Sequence, residues 1–220
     1  MSKCRITVLI SGSGSNLQAL IDARDRGELD AELVHVISNR ADAFGLQRAA
    51  AAGIPSSLLP HQDFTSREDF DRALALLIAA RQPDLIILAG FMRILGAAAI
   101  EPYQGRMINL HPSLLPLYPG THTYERAIAA GDRQHGASLH FVNGELDGGP
   151  LISQVRIPIA ETDTPEQLAG RLAPREHDLI VATSRLFCQH VLGYSNGQVL
   201  YQGRALQKPL ELQADGSFLE

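Results

Sequence analysis

Short apolar runs alternate with stretches of helical spacing, and this alternation constrains the fold more than any other feature of the chain. Arg5-Ile-Thr-Val-Leu-Ile10, Glu32 to Ile37, Asp84-Leu-Ile-Ile-Leu-Ala-Gly90 and the run opening at Met107 are too short for core helices and rich in branched aliphatic residues, so they read as strands. They are apolar almost throughout, which is the pattern of strands covered on both faces. Between them lie a helix carrying Leu17, Leu20 and Ile21 and ending near Gly27, and another from Asp42 to Ala52 stopped by Gly53 and Pro55. Ser56 to Leu59 reads as a brief strand. Ser66-Arg-Glu-Asp69 has the form of a capping box and precedes the stripe Phe70, Leu74, Leu77 and Ile78. The expected fold class is α/β: a doubly wound, mainly parallel sheet with helices on both faces. Gly136 to Val142 and Leu151 to Ile159 are close and sequential, so they are expected to pair antiparallel and give the sheet an antiparallel edge.

A helix is expected from Thr121 to Ala130. Thr164-Pro-Glu-Gln167 opens a longer one, with the stripe Leu168, Leu172, Leu179 and Leu186. Pro174 interrupts that pattern and predicts a kink with solvated carbonyls near Gly170. Asn196-Gly197 between two apolar runs predicts a type I′ hairpin, and the residues after it read as a loose tail. The expected organisation is a single domain over residues 1–190, followed by a hairpin and tail over 191–220.

Composition excludes several classes. The 220 residues are 45% hydrophobic and 20% charged, which is globular rather than disordered. The net charge is -5 and no basic block occurs, so nucleic acid is not expected as a partner. No run is long enough for a membrane span or a signal h-region, and Cys4 and Cys188 form no ligand spacing. The expected location is cytoplasmic, with reduced thiols.

Chemistry concentrates in Met107-Ile-Asn-Leu-His-Pro-Ser-Leu-Leu-Pro116. Strand alternation points Asn109 and His111 the same way, at the strand end where open α/β sheets carry their sites. The amide can donate to an oxyanion and the imidazole can move a proton near neutral pH. The alternative use of such a pair is to satisfy buried backbone groups. Ser11-Gly-Ser-Gly-Ser-Asn16, between a strand and a helix N-terminus, forms an anion site or a plain βα turn. It lacks the P-loop ending, and Leu17 stands where a dinucleotide fingerprint needs its third glycine, so a phosphate monoester fits it best. Arg93, among apolar neighbours, is either a surface residue with a packed stem or a carboxylate clamp. Asp147 can serve as a turn cap. His111, His122, His135 and His140 have no tight metal-ligand spacing, so no metal is expected.

Ser11-Gly-Ser-Gly-Ser-Asn16, Ala89-Gly-Phe-Met-Arg-Ile-Leu95, Asn109-Leu-His-Pro-Ser-Leu-Leu-Pro116, Ser138-Leu-His140 and Glu145-Leu-Asp-Gly-Gly-Pro150 occur in this order. Together they resemble the phosphoribosylglycinamide formyltransferases, folate-dependent enzymes of purine synthesis, over about residues 5–190. The resemblance implies a Rossmann-like fold whose N-terminal half binds phosphate and whose C-terminal half binds folate and carries catalysis. It implies Asn109, His111 and Asp147 as the catalytic trio. It assigns Gly14, Ser15 and Asn16 to the substrate phosphate and Glu176 to the ribose. Arg67, Met92, Arg93, Ile94, Leu95, Asn109, Asn143, Gly144, Glu145, Leu146 and Asp147 would surround the folate. The implied reaction passes the formyl group of 10-formyltetrahydrofolate directly to the amine of glycinamide ribonucleotide, without a metal. Asp147 is expected to keep His111 protonated. The implied partners are small molecules, and the expected assembly is a monomer or weak homodimer. The related folate hydrolases usually carry a regulatory domain ahead of the catalytic one, and here the first strand begins at residue 5. A non-catalytic nucleotide- or folate-binding protein is the other alternative.

Overall fold

The computed structural model describes residues 3–220 and is organised around one large sheet. The strands β1 (Cys4–Ile10), β2 (Ala31–Ser38), β3 (Ser56–Leu58), β4 (Leu85–Leu88) and β5 (Met107–His111) run parallel in the order β5-β4-β1-β2-β3. The helices α1 (Ser15–Asp25), α2 (Gly45–Ala51), α3 (Arg67–Ala79) and the short α4 (Ala97–Ile100) lie in the connections. Ile6, Val8 and Ile10 of β1 pack into one core with Leu17 and Leu20, whereas Leu9 faces a second core with Phe70, Leu74 and Ile78. Two covered faces leave no position for a polar alternation, which is why these strands read as continuous apolar runs. Ser66 caps α3 as expected, its hydroxyl oxygen accepting from the Asp69 amide at 3.1 Å. The helix read from Asp42 begins later, at Gly45, because Ala43 and Phe44 form a turn that brings Gly45 against the first glycine loop.

After α5 (Thr123–Ala129) the chain reverses. β6 (Gln134–Phe141) is antiparallel both to β5 and to β7 (Leu151–Pro158). The antiparallel part therefore reaches the middle of the sheet, and its register sets Asn109 opposite His140. The long helix α6 (Pro165–Cys188) opens with the expected capping box at Thr164 and Gln167 and continues through Pro174. Gly170, whose carbonyl has no Pro174 amide to accept from, is exposed, so water can satisfy it. Its last residue, Cys188, meets Cys4 at the start of β1, and both are free thiols.

The hairpin β8 (Leu192–Ser195) and β9 (Gln198–Tyr201) turns at Asn196 and Gly197 with φ of 49° and 78°, as a type I′ turn requires, and β10 (Arg204–Ala205) adds a third strand. The segment read as a loose tail is instead part of the main sheet. β11 (Leu210–Leu212) pairs parallel with β7, and β12 (Phe218–Leu219) pairs antiparallel with β11. Leu210 and Leu212 are buried, and Arg175 Nη2 donates to the carbonyls of Leu212 and Gln213 at 3.3 and 3.1 Å. Strands this short show too little alternation to be told from turns in sequence.

Candidate active site

Two structural units converge on the site. The first is the β1–α1 loop. Gly14 is left-handed (φ 69°), and a Cβ there would lie 2.6 Å from the Cα of Gly45, so the loop and the start of α2 demand glycine at this contact. Arg48 on α2 braces the loop, its Nε donating to the Ser13 carbonyl at 2.9 Å, and brings a positive charge beside it. Glu176 reaches across from α6 to Asn16 and to Tyr124 of α5. Burial pushes its carboxyl up to about 7, with the Asn16 and Tyr124 hydrogen bonds opposing the shift. Pro174 does not prevent this placement, because the helix continues past it.

The second unit is the wall formed by β5, β6 and the loop between β6 and β7. That loop folds back over the sheet; a Cβ at Gly149 would lie 1.7 Å from the Phe141 carbonyl oxygen, so only glycine permits the approach. The fold-back seats Asp147, at φ 49°, against β5. Asn109 Nδ2 lies 3.3 Å from Asp147 Oδ1 and 3.1 Å from His140 Nε2. His111 Nδ1 is 3.4 Å from Asp147 Oδ2, which also accepts from the Gly120 amide at 2.8 Å. His140 Nδ1 faces the Phe141 carbonyl at 2.9 Å, which calls for the proton on Nδ1 and leaves Nε2 to accept from Asn109. His111 Nε2 faces the Tyr118 carbonyl at 2.9 Å. The turn that leads to this carbonyl is pinned by a buried network: Ser138 Oγ donates to Ser113 O at 2.6 Å, and Gln154 Nε2 donates to Leu115 O at 2.8 Å.

The electrostatics correct one expectation. Burial pulls His111 below its ordinary value, and this outweighs the Tyr118 carbonyl and the Asp147 carboxylate, which both pull it up. His111 is therefore neutral, rather than protonated, near pH 7 in the free protein. Burial also opposes charge on Asp147, but the nearby His140 and His111 rings and the Gly120 amide hold its carboxyl below the usual range.

Asn109, His111 and Asp147 line a cavity of about 630 Å³. Met92, Arg93, Ile94, Leu95, Asn143, Gly144, Glu145 and Leu146 line it too, as do His140 and Tyr124. Met92 is 67% exposed at its rim, an apolar surface available to a ring system. Arg93 is half-buried and, among the described residues, in no ion pair: its guanidinium stacks over Phe70 at 5.6 Å. Arg67 does not line the cavity and pairs with Asp71 behind it. Gly14, Ser15, Asn16 and Glu176 lie outside it as well, with Tyr124 bridging the two units. Ser11 ties them from below, accepting from the Met92 amide at 2.8 Å while donating to Asn39 at 2.5 Å.

Residues 4–184 match the formyl transferase family. The chain belongs to that family. It is 50% identical over 172 residues to the phosphoribosylglycinamide formyltransferase of Escherichia coli, covering 78% of this chain and 81% of that protein. The formyltransferase relatives include a solved phosphoribosylglycinamide formyltransferase from Coxiella burnetii, with a TM-score of 0.89, 50% identity and coverage of 93% and 96% of the two chains. The human trifunctional purine biosynthetic protein adenosine-3 is 40% identical over 184 residues, which cover 84% of this chain and 18% of that longer protein. His140, part of the Ser138-Leu-His140 motif, carried no assigned role in the sequence; the register of β5 and β6 sets it opposite Asn109. Among the described residues no helix is long and apolar enough to cross a membrane.

Proposed function

We propose that this formyltransferase passes the formyl group of 10-formyltetrahydrofolate to the amine of glycinamide ribonucleotide, with Asn109, His111 and Asp147 as its catalytic groups. The observation that carries the reading is a carboxylate within 3.4 Å of both an amide and an imidazole on a wall of the cavity, in a chain 50% identical over 172 residues to a named phosphoribosylglycinamide formyltransferase. The cavity suits a folate: apolar side chains at its rim can take a bicyclic ring, and the polar trio lies at its inner end. The folate supplies the formyl carbon; the chain's own groups handle charge and protons.

Asn109 donates to the formyl oxygen as negative charge grows there. In the free protein its two amide hydrogens go to His140 and Asp147, and the longer bond, to Asp147, is the one a formyl oxygen displaces. His140 holds the amide plane so that the freed hydrogen points at the cavity. Asp147 is ionised, takes the proton released by the attacking amine, and returns it to the folate nitrogen as the bond between that nitrogen and the formyl carbon breaks, so that tetrahydrofolate leaves neutral at that atom. His111 Nδ1 shares that proton, and its gain of charge next to the developing oxyanion is favourable where it was not in the empty site. Gly14, Ser15 and Asn16 cradle the ribonucleotide phosphate, with Glu176 on the ribose. Tyr124 lies where the two subsites join. Holding the amine against the formyl carbon supplies a large share of the rate.

The test is release of tetrahydrofolate, followed by absorbance, with and without glycinamide ribonucleotide. Release that requires the ribonucleotide supports the transferase. Release without it indicates hydrolysis, and no release with ribonucleotide binding intact indicates a binding protein.

A further inference from the structure

Asp71 is a charged residue on the wrong face of a helix. It shares the inner face of α3 with Phe70, Leu74 and Ile78, and its side chain is 3% exposed. Isolated carboxylates are rarely buried without a specific task. Three contacts define this one. Asp71 Oδ2 accepts from the Gly96 amide at 2.8 Å. The same oxygen lies 3.8 Å from Arg67 Nε. Arg93 contributes a second positive charge nearby, though its buried Nε has no hydrogen-bond partner among the described residues. Gly96 ends the segment Phe91 to Leu95, which forms the rim and one wall of the cavity. The fit is close: a Cβ on Gly96 would stand 2.6 Å from Asp71 Oδ2.

The segment needs such a tie. It leaves β4 without regular secondary structure and exposes Met92 and Ile94. At its N-terminal side the Met92 amide is held by Ser11. At its C-terminal side the Gly96 amide is held by Asp71. Between these two anchors the backbone is free to present its side chains to the cavity. Arg67, which does not reach the cavity, is drawn toward the same carboxylate.

We propose that Asp71 is a positioning residue for the folate co-substrate, fixing the Phe91–Leu95 wall through the Gly96 amide and the two arginines. This deepens the transferase reading and rests on it. Asp71 touches neither the catalytic trio nor the phosphate loop, so its loss acts on one substrate only.

The experiment compares the wild type with D71A, D71N and G96A. Steady-state KM is measured for each substrate, and tetrahydrofolate binding is measured by calorimetry. D71A removes one hydrogen bond to a charged acceptor, so folate KM and Kd should rise roughly tenfold. Ribonucleotide KM and kcat should stay within about twofold of wild type. D71N keeps an oxygen for the Gly96 amide but loses the charge, and should recover part of the affinity. G96A drives a methyl group at the carboxylate from the other side and should reproduce the D71A pattern; it supplies the result if D71A does not fold. Unchanged folate affinity in D71A and G96A would overturn the proposal. A parallel change in both KM values and kcat would also overturn it, because it would show general loosening of the fold. Wild-type turnover, measured alongside, keeps the outcomes separate: folate binding without formyl transfer would refute the transferase reading, and a wild type that binds no tetrahydrofolate would refute both.

Discussion

Asn109→Ala removes the amide proposed to donate to the formyl oxygen. Loss of a single oxyanion donor costs about 2.7–4 kcal/mol of transition-state stabilisation, or about 10²–10³ in kcat. The structure places this protein near the lower end of that range. In the free site the Asn109 amide is already engaged, at 3.1 Å with His140 and 3.3 Å with Asp147, and it gives up the weaker bond when it turns to the substrate. That exchange offsets about 1 kcal/mol of the gain, so kcat should fall about a hundredfold. Ribonucleotide KM should stay within about twofold, because the amide is remote from the phosphate loop. The substitution leaves His140 Nε2 and Asp147 Oδ1 short of a donor, a cost of about 1 kcal/mol, which for a chain of this size lowers Tm by about 2–4 °C. Steady-state kinetics and a thermal melt read both quantities. A kcat within threefold of wild type in a folded N109A protein would refute the oxyanion assignment.

Asp147→Asn removes a charge that pulls the His111 proton affinity up, so the His111 titration followed by NMR should move further below the ordinary histidine value. An upward move would contradict the assigned pairing. Glu176 has its folded-state value raised from 4.5 to about 7, so its contribution to stability is full below about pH 4.5 and is lost as pH rises through about 7. The Tm difference between Glu176→Gln and wild type should therefore shift in favour of the variant across that window, and a difference independent of pH would remove the claim. Leu210→Ala should lower stability by about 2–5 kcal/mol, read as a lower denaturant midpoint, because Leu210 is fully buried against β7; no change would mean the last strands are not part of the core.

Much of the fold was readable from local patterns. β1, β2 and β4 could be found because both faces of each are covered, leaving unbroken apolar runs between turn signals. The caps at Ser66 and Thr164 and the Asn196-Gly197 turn are local chemistry and appear where they were expected. What was hidden depends on distant partners. Leu210-Glu-Leu212 is a strand only because β7 offers it an edge. Asp71 looks like one more charge in Arg67-Glu-Asp-Phe-Asp-Arg72 until α3 is packed and Gly96 arrives beside it. The site shows the same division. Asn109 and His111 were placed together by strand alternation, but the protonation state of His111 depends on how deeply the fold buries it, and the carboxylate alone suggested the opposite direction. His140 became visible as a partner of Asn109 only through the antiparallel register of β5 and β6.

The most direct measurement is a single turnover with 10-formyltetrahydrofolate labelled in the formyl carbon, in the presence of glycinamide ribonucleotide. The account predicts that the label moves to the ribonucleotide nitrogen at the rate of tetrahydrofolate release, with none appearing as formate. Label recovered as free formate, or retained on the folate while the ribonucleotide stays bound, would contradict it.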